Sequence, residues 1–463
     1  MPQGLAKDDG RLYPDAMTFF EIAALLLLLS AFFGFLNHVT WKLPHTIGLV
    51  IMALGASGLM VIADLIWPSL GIAETVGAAL RKIDFANALM NGMLALLLFA
   101  GAVHVDFSEL AARKWAIGLM ATLGVLISTF VTATGIYWFG QWFCPRMPFV
   151  WALVFGALIS PTDPVAVLGL LKTIRIPRLL RAKIAGESLF NDGVGVVVFT
   201  VMLTIAMSVD PGWIDGTAHA AAAAGHGGGE VNGATVLRLF AGEALGGALL
   251  GLVAGLIAYA AMRRIDEHNI EVLITLALVF ATYAIALRLH VSGPIAMVVA
   301  GLLIGNHGAR FAMSENTRRH VFQFWTLIDE ILNSVLFLLI GLEVLVIGWN
   351  TVNLPLALFA IPMVLFARLV SVAIPIGLLR VRRKFEEGTI AILTWGGLRG
   401  GISVALALSL PDNAYKPAIL TATYAVVVFS IIVQGLTMKA LVGRYSFRGA
   451  GTEPEDVEEA KAH

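Results

Sequence analysis

The chain is a succession of apolar stretches, each about as long as a bilayer's hydrocarbon core is thick. A helix crosses that core with about 20 apolar residues. Thirteen such stretches can be marked, at about 17–36, 46–66, 86–104, 115–139, 149–171, 184–208, 234–261, 270–287, 291–306, 323–348, 354–379, 388–410 and 417–438. Only 13% of residues are charged, 58% are hydrophobic, and the mean hydropathy is +0.85. A soluble chain of 463 residues could not cover its surface with so little charge. The sequence therefore describes an all-α, polytopic membrane protein of about 13 helices whose principal partner is the lipid bilayer. The net charge of +0 offers nothing to a polyanion, so nucleic acid is not expected as a partner. The one cysteine, Cys144, can form neither an internal disulfide nor a cysteine-based metal site, and no cofactor is expected.

Basic residues orient the chain. The loops after odd-numbered segments carry Lys42, Arg113 and Lys114; the cluster Lys172, Arg175, Arg178, Arg181 and Lys183; Arg263 and Arg264; Arg310, Arg318 and Arg319; and Arg380, Arg382, Arg383 and Lys384. The opposite side carries only Lys7, Arg11, Arg81, Lys82, Arg146, Arg288 and Lys416. By the positive-inside rule the odd loops and the C-terminus face the cytoplasm and the N-terminus lies outside, in a cell or inner membrane. This gives an extracellular arm at 1–16, a membrane domain at 17–445 and a short cytoplasmic tail at 446–463. The N-terminus does not read as a cleavable signal. The Ala/Gly tract around His219 and His226 in the 209–233 loop reads as a linker rather than a metal site.

Thirteen segments that start outside and end inside can be divided as six, one and six, with opposed halves: about 17–208, a linker helix at 234–261, and 270–438. Inverted repeats of this kind hold their binding sites where one helix in each half is broken. The fifth segment contains Ser160-Pro161-Thr162-Asp163-Pro164, in which two prolines remove helix donors. Its counterpart, segment 12, contains Gly396-Gly397-Leu398-Arg399-Gly400-Gly401, a weak helix for the opposite reason. Unpaired backbone at membrane depth is tolerated only where protein or a cavity surrounds it.

Charge is expensive at that depth, so buried ionisable residues are functional candidates. Asp163 and Arg399 lie in the breaks, Arg368 lies within segment 11, and segment 6 reads Glu187-Ser188-Leu189-Phe190-Asn191-Asp192. Helical spacing puts Glu187 with Asn191 on one side, and Ser188 with Asp192 on the next. The Ser188 and Asp192 face, Asp163 and the carbonyl of Thr162 together supply oxygen ligands, which suit small hard cations. Arg368 is the natural counter-charge for Glu187. Three carboxylates against two arginines leave one negative charge, which one Na+ or one H+ would neutralise. Competition of the two for one carboxylate, with alternating access, is sufficient for exchange.

At these residues the sequence resembles the cation/proton antiporter superfamily, in its NhaP/NHE branch of sodium/proton exchangers. Thr162-Asp163-Pro164 resembles the family's first broken-helix motif, Glu187 to Asp192 its Glu-Ser-x-x-Asn-Asp signature, Arg368 its buried arginine, and Gly396 to Gly400 its second broken helix. The resemblance covers about residues 20–440. It implies Asp192 as the central ion- and proton-binding carboxylate, with Asp163, Ser188 and the Thr162 carbonyl completing the shell around a monovalent cation. Glu187 would pair with Arg368, Asn191 would order the crossing, and Arg399 would brace it against helix ends. Asn191-Asp192, in place of two aspartates, implies electroneutral one-for-one exchange. A homodimer is implied, and a transporter rather than an enzyme.

Rival readings are a K+/H+ antiporter of the same fold and an H+- or Na+-coupled solute symporter. A symporter needs a polar pocket for its solute, and a channel needs a continuous polar pore; the sequence advertises neither. Gly55-Ala56-Ser57-Gly58 resembles an intramembrane serine protease motif, but its nearest histidines, His38 and His45, are not at serine depth.

Overall fold

Inside a bilayer each backbone N–H and C=O needs a protein partner, and an apolar segment meets that need by coiling into an α-helix. The computed structural model describes residues 19–69, 71–82, 85–112, 114–143, 147–163, 178–209, 233–347, 351–380 and 388–445. Among them every regular element is helical. The arm at 1–16, Cys144, Pro164 with the second half of segment 5, the tract holding His219 and His226, and the tail at 446–463 lie outside the described residues.

The helices are α1 (Phe19–Val39), α2 (His45–Ile66), α3 (Ile72–Lys82), α4 (Phe85–Val103), α5 (Phe107–Ala112), α6 (Lys114–Trp142), α7 (Phe149–Leu158) and α8 (Arg178–Val209). They continue as α9 (Gly233–Met262), α10 (His268–Leu289), α11 (Gly293–Leu303), α12 (Glu315–Leu342), α13 (Leu354–Arg380), α14 (Thr389–Trp395), α15 (Gly401–Leu408) and α16 (Lys416–Gly443). Among the described residues nine helices are long and apolar enough to cross a membrane. Each of the thirteen expected segments appears as helix. Segment 5 is represented by the short α7, and segment 12 is divided into α14 and α15. Segment 10 begins earlier than hydropathy indicates: α12 starts at Glu315, where the Ser314 hydroxyl caps it by accepting from the Thr317 amide at 3.3 Å. Arg318 and Arg319 in its first turns hide that start from an apolar count.

Two helices were not anticipated. The amphipathic α3 follows α2, and its first amides donate to the Asp64 carboxylate, from Ile72 at 2.8 Å and Ala73 at 2.7 Å. An acid at a helix start satisfies orphan donors and complements the helix dipole, so Asp64 has a local structural role. The short α5 lies between α4 and α6.

Two apolar cores organise the molecule. One joins α4, α9, α10, α11 and the first half of α12. The other joins α2, α6, α7, α13 to α16 and the end of α12. The long α8 runs between them, giving Leu189 to the first and Val198 and Phe199 to the second. The first core is tight: a Cβ at Gly251 of α9 would strike the Ala296 carbonyl of α11. Such close backbone approach is how membrane helices associate through small residues. Gly251→Leu is therefore expected to destabilise the protein by at least about 1–3 kcal/mol, the usual cost of overpacking. Gly242→Leu, on the same helix and with no neighbour beside it among the described residues, should leave the thermal unfolding of the purified protein unchanged.

Candidate ion-binding site

The first break begins where α7 runs out of donors. The Ile159 amide still reaches the Phe155 carbonyl at 3.1 Å, and that of Ser160 reaches Ala157 at 3.2 Å. Pro161 has no N–H, and residues 161–163 are not helical. The second break begins after the Gly396 amide bonds the Ile392 carbonyl at 2.7 Å, and helix resumes only at Gly401. The two unwound stretches meet. The Asp163 amide donates to the Leu398 carbonyl at 2.8 Å. The Arg399 guanidinium donates through Nη1 to the carbonyls of Ser160 and Pro161, the latter at 2.9 Å. Arg399, 2% exposed, thus serves the carbonyls that the break in α7 leaves without helical donors.

Glycine is required here by proximity. A Cβ at Gly400 would overlap the Asp163 carboxylate, and one at Gly397 would overlap the Arg368 guanidinium. The glycine-rich pattern that weakens the helix is the same pattern that lets these two side chains approach the backbone.

Arg368 of α13 and Glu187 of α8 form a buried bidentate pair, Nη1 to Oε1 and Nη2 to Oε2, the second at 2.9 Å. The guanidinium also donates to the Leu393 carbonyl, from Nε at 3.2 Å and Nη2 at 3.1 Å. Leu393 lies in the last turn of α14, so this one arginine fastens α8 to the edge of the second break.

On α8 the Ser188 hydroxyl lies 3.0 Å from that of Thr162, and the Asn191 amide donates to the same Thr162 oxygen at 3.3 Å. Asn191, read as sharing a side with Glu187, reaches the residue that Ser188 also reaches. Asp192 is 7% exposed, and its Oδ1 has no hydrogen-bond partner among the described residues; nor does Oδ1 of Asn191. Asp163 is close enough to act on Asp192 electrostatically. All eight residues singled out in the sequence therefore gather around the crossing: Thr162, Asp163, Glu187, Ser188, Asn191, Asp192, Arg368 and Arg399. The arrangement is an oxygen-lined buried site in which a carboxylate can take either a hard cation or a proton.

Sequence reading missed several contributors. The carbonyls of Leu393 and Leu398 are backbone groups without a sequence signal. Gln434, whose side-chain amide donates to the Trp395 carbonyl at 2.9 Å, is polar within an apolar stretch and did carry one. Lys183, counted as a loop residue, is buried within α8. The protease resemblance dissolves: the Ser57 hydroxyl donates to the Gly341 carbonyl at 3.2 Å, and His45 lies 2.9 Å from Ser334 instead.

Comparison with known proteins agrees with this architecture. Residues 18–444 match the family model described as sodium/hydrogen exchanger, transmembrane. The chain is 46% identical over 429 residues to the Na(+)/H(+) antiporter NhaP of Pseudomonas aeruginosa, covering 92% of this chain and 96% of that one. It is 35% identical over 364 residues to the Na(+)/H(+) antiporter NhaH of Halobacillus dabanensis, covering 77% of this chain and 83% of that one. The fold resembles that of the sodium proton antiporter MjNhaP1 from Methanocaldococcus jannaschii, solved at pH 8. The TM-score is 0.69 at 17% identity, over 92% of this chain and 98% of that one. From the family match and the near full-length relatives it follows that this chain belongs to the sodium/hydrogen exchanger family.

Proposed function

We propose that the protein exchanges Na+ for H+ across the membrane by alternating access, one for one, with Asp192 carrying the two ions in turn. The observation that supports this most strongly is the buried Asp192 carboxylate, whose Oδ1 has no hydrogen-bond partner among the described residues, with Asp163 close enough to act on it electrostatically. A buried carboxylate oxygen with no donor among the described residues is poised for a cation or a proton. Asp163, Ser188 and Thr162 complete the cation shell, and Glu187, Arg368, Asn191 and Arg399 hold its frame. Li+ and K+ share the chemistry of the site.

The charge count supports one-for-one stoichiometry. Glu187 and Arg368 cancel, and Arg399 offsets one of the two aspartates, so one positive charge completes neutrality. The split into opposed halves, with α9 as linker, is supported by the two breaks crossing each other. The basic loops support a cytoplasmic C-terminus and an external N-terminus, and the family resemblance supports a homodimer. Exchange should therefore run at the same rate with and without an imposed membrane voltage in proteoliposomes supplied in turn with Li+, Na+, K+ and Rb+. A rate that follows the voltage contradicts one-for-one exchange, and an absolute need for an organic solute contradicts antiport.

A further inference from the structure

A broken helix leaves a carbonyl on one side of the break and an amide on the other, and in a membrane interior both need partners. At the second break both are met by one neighbouring helix. Ser430 and Gln434 bound a π-turn in α16 and are almost completely buried. Gln434 Nε2 donates to the carbonyl of Trp395, the last residue of α14, at 2.9 Å. The Ser430 hydroxyl accepts from the Arg399 amide at 2.9 Å and donates to Gln434 Oε1 at 2.6 Å. The serine has a single proton, and it goes to the glutamine oxygen; the serine oxygen is then the acceptor for Arg399. The glutamine's orientation follows, with its NH2 toward Trp395. The chain of bonds is closed and directional, and it spans the break from end to end. π-Turns of this kind recur at functional sites.

We infer that Ser430 and Gln434 are positioning residues for cation binding. They fix the backbone of residues 395–399, and through it two further groups. The Arg399 side chain is set against the Ser160 and Pro161 carbonyls. The Leu398 carbonyl is set as acceptor for the amide of Asp163. Loosening this clamp shifts Asp163 and Arg399 relative to Asp192, so the loss falls on affinity for the cation. The inference rests on the exchange reading above.

The test is the cation dependence of exchange in proteoliposomes for the full chain and for Gln434→Met, Ser430→Ala and Ser430→Thr, with Na+ as the probe. Each variant removes hydrogen bonds of the clamp, so Gln434→Met and Ser430→Ala should each raise the half-saturating Na+ concentration about fivefold, with the maximal rate nearly kept. Ser430→Thr keeps the hydroxyl and should restore the half-saturating concentration. An unchanged half-saturating concentration in Gln434→Met, or a fall in maximal rate alone, overturns the inference, as does failure of Ser430→Thr to differ from Ser430→Ala. Should Gln434→Met not accumulate in the membrane, the two Ser430 variants decide by the same criteria. No Na+/H+ exchange by the unaltered protein would instead refute the proposed function, so the two failures are distinguishable.

Discussion

Asp192→Asn is expected to reduce cation/proton exchange to the level of empty liposomes while leaving the protein folded. The amide is nearly the same size as the carboxylate, so the packing of α8 between the two cores should persist. It has no negative charge for a cation and cannot take up a proton. Both half-reactions fail together, whereas loss of a peripheral ligand weakens only cation binding. Unfolding temperature and flux should be measured on the same preparation. Exchange at the normal rate in this variant would remove Asp192 from the centre of the mechanism.

The second large effect is expected at Arg368. Arg368→Ala leaves the Glu187 carboxylate, 1% exposed, without its bidentate partner, and leaves the Leu393 carbonyl without its donors. Removing one member of a buried ion pair costs about 3–5 kcal/mol, because the other charge stays behind. The variant should unfold at a clearly lower temperature or fail to accumulate in the membrane. Replacing both partners by apolar residues, Glu187→Leu with Arg368→Met, removes the stranded charge and should recover much of the lost stability. Equal stability of the single variant and the unaltered protein would show that the pair does not hold α8 to α14.

The membrane segments were legible because lipid imposes a rule that water does not: an apolar run of the right length must be helix. That rule is silent on α3, whose residues alternate between an apolar and a polar face, and it misplaces the start of α12 because Arg318 and Arg319 interrupt the run. The site's charged members were legible for the converse reason. Asp163, Glu187, Asp192, Arg368 and Arg399 are costly where they stand, so their presence asks for an explanation. Proline at one break and glycine at the other marked where helix gives way. The partners of those groups were not legible. Arg399 meets the carbonyls of Ser160 and Pro161, and Arg368 meets that of Leu393; main-chain atoms are the same at every position. Ser430 and Gln434 escaped notice because uncharged polar residues are inexpensive enough in membrane helices to pass as packing. Spacing on α8 correctly divided Glu187 from Ser188, but it did not show that Asn191 would reach across to Thr162.

The proposed exchange requires one carboxylate to be occupied alternately by a metal ion and by a proton. This can be read without transport, by adding Na+ to purified protein in weakly buffered solution and counting the protons released as the cation binds. The unaltered protein should release one proton for each cation taken up, and Asp192→Asn should release none. Cation binding without proton release, or undiminished release from the Asn variant, would contradict a shared site at Asp192.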